Sequence, residues 1–165
     1  MAGEVFECEI QARLRDVNLG GHVDNVEAMR IIDEARVLFL RFAELGTRDG
    51  VEPGTGIEGT GLLDPVPSGV VELMGSQRVD YHAEMRFTPF RPFLVRLWIS
   101  HVGRSSFAVS TEMRTDAAHP PALLAESTLV LWETAEASSW PIDDDVRAAL
   151  ERYAGPPVAL RGGRA

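Results

Sequence analysis

The chain has no lysine: all sixteen of the basic residues among its 165 are arginine. A Schiff-base lysine or a phosphate-loop lysine is therefore excluded. Positive charge is scarce as well, with 16 basic against 25 acidic residues and a net charge of -9, so the chain lacks the cationic surface that would neutralise a nucleic-acid backbone. One cysteine, Cys8, permits neither an internal disulfide nor a thiolate zinc cluster and fits a reducing compartment. No apolar run approaches the roughly 20 residues that a membrane span needs. The opening MAGEVFECEI has no cationic and apolar leader pattern, and a cytoplasmic location is expected. What remains, 45% hydrophobic and 25% charged, is the composition of an ordinary globular protein of a length suited to one core.

Residues 5–14 alternate, with Phe6, Cys8, Ile10, Ala12 and Leu14 on one side and Glu7, Glu9, Gln11 and Arg13 on the other, which predicts a half-buried strand. The period then becomes helical. Val26, Met29, Ile32, Ala35, Phe39, Phe42 and Leu45 recur at steps of three and four, widened by Ile31 and Leu38, with Gly46 as the stop. Residues 47–69 carry many Gly and Pro and read as a long surface loop or lid. Four strands are expected after it: Val70 to Met85 kinked at Gly75, Phe93 to Val102, Ser106 to Arg114 and Leu123 to Glu133. Pro141 is expected to open a final helix with Asp143 to Asp145 near its positive end and Val146, Leu150 and Tyr153 docking inward. Strand, long helix and meandering strands predict an α+β domain over 1–155, with a flexible tail over 156–165. Sheet edges that one helix cannot cover, together with three tryptophans, predict self-association.

Asp24, followed three residues later by Glu27 just before the apolar run, reads as an acidic capping box with Asp24 as N-cap and Asn25 as the first helical residue. The free N–H groups at such a helix start suit developing negative charge, such as the oxyanion of an attacked carbonyl. The surrounding segment, RLRDVNLGGHVDNVEAMRIIDEAR over residues 13–36, resembles the hotdog-fold thioesterases of the 4-hydroxybenzoyl-CoA and acyl-CoA group and their acyl-ACP relatives. Their R-x-x-D-x-D-x-x-G-H-V-N-N pattern with a following E-x-A-R is met by Arg13, Asp16, Gly21, His22, Val23, Asn25, Glu34, Ala35 and Arg36. A second likeness runs from Val79 to Trp132, while 47–69 stands outside it.

The resemblance implies a hotdog fold, an antiparallel five- to six-stranded sheet wrapped around one long helix, working at least as a homodimer. It implies hydrolysis of an acyl-CoA or acyl-ACP thioester, with the Asn25 N–H polarising the carbonyl and with no metal or redox cofactor; coenzyme A enters only as part of the substrate. The family's second aspartate, its nucleophile or general base, aligns with Asn18, an amide that can orient water yet cannot take its proton. Asp16, His22, Asp24 and Glu27 are the neighbouring candidates for that base. Each also has a structural reading: Asp16 as an Asx-turn, His22 as a loop stabiliser, Asp24 and Glu27 as caps. Ser105 and Ser106 read as a β-turn or as contacts to coenzyme A, for which Arg86, Arg91 or Arg104 could supply donors. The replacement at Asn18 leaves a non-catalytic acyl-thioester binding protein as one alternative. An acyl-CoA hydratase or dehydratase is another.

Overall fold

The structure, a computed structural model, describes residues 3–43 and 61–162. The stop expected at Gly46 and loop residues 47–60 lie outside the described residues. In chain order the elements are β1 (Phe6–Ile10), α1 (Asn25–Phe42), β2 (Val70–Tyr81), β3 (Phe93–Val102), β4 (Ser106–Arg114), β5 (Leu123–Glu133), β6 (Ser138–Ser139) and α2 (Asp144–Glu151). The strands form one antiparallel sheet ordered β1-β3-β4-β5-β2, with β6 on β5. Its inner face takes one side chain in two, so Val95, Leu97 and Ile99 on β3 and Phe107, Val109 and Met113 on β4 are buried. Against that face lies the apolar stripe of α1, where Ala28, Ile32, Ala35 and Phe39 are completely enclosed. Phe6 stacks on Phe39, and Tyr153, following α2, meets the same ring edge-on with centroids 5.1 Å apart.

The middle of the sheet follows the sequence pattern residue for residue, and Gly75 is where the β2–β5 register shifts. The ends of elements differ. β1 stops at Ile10 because Arg13 and Asp16 close a 3₁₀ turn over Leu14–Asp16, which leaves Leu14 78% exposed. β2 stops at Tyr81 rather than Met85, since the N–H groups of His82 and Ala83 both turn to the Ala122 carbonyl. α2 opens three residues after Pro141, with Asp143 as the cap that accepts the Val146 N–H at 2.9 Å. The two-residue β6 has too little pattern to have been foreseen. Beyond Gly155 the chain runs across the outer face of the sheet as far as the described residues go, with hydrogen bonds to β3, β4 and β2.

Candidate active site

The turn between β1 and α1 is tied down by its own carboxylates and amides. Asp16 is 2% exposed. It accepts the Arg13 N–H at 2.7 Å and the Arg13 guanidinium at 2.8 Å, and Arg13 holds its carboxyl below the ordinary range. The Asp16 carbonyl in turn accepts the Asp24 N–H at 2.9 Å, which delivers the chain to the helix start. Between them a tight hairpin pairs Val17 with Val23, and Asn18 N–H donates to the His22 carbonyl at 2.8 Å. Gly21 at φ +79 supplies the left-handed corner.

Asp24 caps α1 by accepting the Val26 N–H at 2.9 Å. Glu27 does not reach back to the Asp24 N–H as a capping box would, because Asp16 has taken it; Glu27 pairs with Arg30 at 3.0 Å and Arg13 at 3.6 Å. The Asn25 N–H, first in the helix, has no acceptor among the described residues. The Tyr81 hydroxyl, from the end of β2, stands 3.5 Å from the Asn25 carbonyl. Burial and the nearby Asp24 carboxylate push that phenol above its usual range.

Asn18 is exposed, and its Oδ1 already accepts two backbone N–H groups, from Gly20 at 2.9 Å and His22 at 3.2 Å. Only its Nδ2 donors remain for a ligand or water. His22 Nε2 lies 3.0 Å from Glu84 Oε2, a carboxylate that Arg86 Nη2 also contacts at 3.1 Å. With Nε2–H given to Glu84, Nδ1 keeps its lone pair and has no partner among the described residues. A β-carbon added at Gly20 would stand 3.3 Å from Asn18 Oδ1 and 3.7 Å from His22 Nδ1, so the amide and the imidazole border one small space. The arrangement brings an N–H without an acceptor among the described residues, an imidazole and an amide donor into one turn and the helix it feeds.

The sequence model of the thioesterase-like superfamily matches residues 12–150. The chain belongs to that superfamily. A comparison with curated protein sequences gave no match. Among solved structures the chain is similar to a predicted thioesterase from Bacillus stearothermophilus, with 17% identity, TM-score 0.69 and coverage of 94% of this chain and 100% of that one. It is similar to a 1,4-dihydroxy-2-naphthoyl-CoA thioesterase from Synechocystis, with 17% identity, TM-score 0.66 and coverage of 89% and 96%. A thioesterase from Thermus thermophilus complexed with coenzyme A and zinc matches with 20% identity, TM-score 0.63 and coverage of 92% and 96%. The fold is the hotdog fold.

Within this superfamily member, Asp16, Asn18, His22, Asp24 and Asn25 gather at the helix start, and Arg86 joins them through Glu84 and a backbone bridge to His22. Arg91 does not join them: it lies in the turn before β3, where its N–H donates to the Thr88 carbonyl. Arg104, Ser105 and Ser106 lie at the β3–β4 turn, at the end of β4 away from the Met113–Leu123–Tyr81 row. Their carbonyls serve the fold, accepting from Ile142, Leu131 and Gly103 respectively. Within one protomer Arg104 and Ser105 are turn residues and Ser106 opens β4. Tyr81 and Glu84 are the site residues that reading the sequence missed as chemistry. Both fall in the stretch where the alternation of Val79, Tyr81, Ala83 and Met85 with polar residues continues four residues past the end of the ladder, so no local signal marks them.

Proposed function

We propose that the chain hydrolyses acyl-CoA thioesters as a homodimer, its Asn25 N–H polarising the thioester carbonyl and the His22–Glu84 pair activating water. What supports this reading is a helix-start N–H without an acceptor among the described residues, at the end of the same turn that carries an imidazole whose Nε2 meets Glu84 and whose Nδ1 has no partner among them. Water oxygen attacks the carbonyl carbon while His22 Nδ1 takes its proton, and the negative charge collects on the carbonyl oxygen facing Asn25 N–H. Collapse of that intermediate expels the coenzyme A thiolate, which recovers the proton from His22. Asn18 Nδ2 donates to the water or to the acyl group, since Oδ1 is occupied. Cys8 is unsuited to act as nucleophile: burial pushes its thiol up to about 12.

A thiol-release assay over a panel of acyl-CoA and acyl-carrier-protein thioesters tests this. The wild type releases thiol, and His22→Gln lowers kcat by about 10² to 10⁴, the usual worth of general-base assistance. Asn18→Asp keeps the two backbone N–H bonds and adds a free carboxylate oxygen, so the double variant His22→Gln/Asn18→Asp regains turnover over His22→Gln alone. Absence of thiol release from every thioester by the wild type overturns the proposal.

A further inference from the structure

The chain beyond α2 makes a strap that crosses from β3 to β2. Trp98 Nε1 on β3 donates to the Pro156 carbonyl at 2.6 Å, and Val158 N–H donates to Ser110 Oγ on β4 at 3.2 Å. Trp98 and Ser110 are register partners on the outer face, and the strap then passes over β5 to reach β2. There Arg161 N–H donates to Asp80 Oδ2 at 2.5 Å. The Arg161 guanidinium continues to the Tyr81 carbonyl at 3.4 Å and, through Nη2, to His82 Nδ1 at 3.3 Å. Side chains alternate along a strand, so Asp80 faces outward to the strap while Tyr81 faces inward to the start of α1. The last residue of β2 is thus held from one side by Arg161 and touches Asn25 on the other.

The geometry points to Arg161 as a positioning residue that acts through Tyr81: from the far face of the sheet it fixes the backbone on which the Tyr81 hydroxyl is presented to the carbonyl-polarising end of α1. This rests on the proposed thioesterase reading for its catalytic consequence, though not for its structural one. β2 ends at Tyr81, and the chain departs from the ladder immediately after it. A strand end is where a ladder frays, so a clamp there has something to hold. Without the guanidinium the phenol loses its fixed place beside Asp24 and in the burial that pushes its pKa up.

The test compares wild type, Arg161→Ala, Arg161→Lys and Asp80→Ala in the full-length protein by ultraviolet titration of the phenols, with Tyr81→Phe assigning the Tyr81 step against that of Tyr153. In Arg161→Ala and Asp80→Ala the Tyr81 midpoint moves down toward that of an ordinary phenol, and Arg161→Lys, which keeps a donor for the Tyr81 carbonyl, restores part of it. Steady-state kinetics on the best thioester show kcat reduced three- to tenfold in Arg161→Ala with KM within twofold. An unchanged Tyr81 titration in both alanine variants overturns the inference, as does an unchanged kcat in an active enzyme. A shifted titration with no turnover in any form leaves Arg161 as the clamp and refutes the thioesterase reading instead.

Discussion

At the N-cap a single carboxylate oxygen satisfies the Val26 N–H, and that duty is separable from chemistry. Asp24→Ala is expected to cost about 0.5–2 kcal/mol in urea unfolding, and Asp24→Ser to recover most of it by offering another acceptor. Full thioester turnover in Asp24→Ser would confine Asp24 to capping. Asp16 behaves differently because its charge is the useful part. Arg13 favours its charged form and lowers its pKa in the folded protein, so the stability it contributes is complete above the ordinary carboxylate value near 3.9 and is lost as pH falls through the lower folded value. The melting-temperature gap between wild type and Asp16→Asn is therefore widest at neutral pH and narrows in acid; a gap independent of pH would remove the ion pair from the account. Asp24 and Asn25 were legible because a cap is a local pattern. Glu84 was not, since nothing near it in sequence indicates that His22 is its partner.

Among the elements, α2 and its following turn show how a short helix is held by what it covers. Val146 and Leu150 are fully enclosed, and Tyr153 closes the end of the core against Phe39. With eight residues the helix is too short to be stable alone, so docking supplies its stability. Tyr153→Ala is expected to lose about 3 kcal/mol in denaturant unfolding, comparable with other large aromatic truncations in cores. Tyr153→Phe keeps both ring and packing and should stay close to wild type. The inward set Val146, Leu150 and Tyr153 was readable from spacing alone. The helix start was not, because Pro141 is a permissive signal while the Asp143 side chain accepts the Val146 N–H and sets the boundary.

For the whole molecule the two sheet edges are unlike. β1 is five residues long and carries exposed Glu7 and Glu9, a combination that discourages pairing with another chain. β2 is twelve residues long and shows Val71, Leu73 and Met74 at 37%, 45% and 41% exposure. Edge pairing of two copies along β2 would cover these side chains and bring a second chain beside Tyr81 and the start of α1. Light scattering should give a mass of two chains of 18.1 kDa, or a multiple of that pair. Met74→Glu, which puts a carboxylate into the seam, should shift the mass toward one chain. A wild-type mass of one chain at micromolar concentration would remove the dimer from the proposal.

What the sequence by itself determined are the features that repeat over short distances: the α1 stripe, the limits of β3, β4 and β5, the kink at Gly75 and the cap at Asp24. Each follows from backbone periodicity or from hydrogen bonds spanning a few residues. Tertiary structure decided the rest. Which carboxylate orients His22, where β2 lets go, and that Arg161 closes on Asp80 81 residues away are contacts whose partners meet only after the sheet has formed. No local propensity encodes such pairs, because the ordering of the chain between them is supplied by the core and not by the groups that meet.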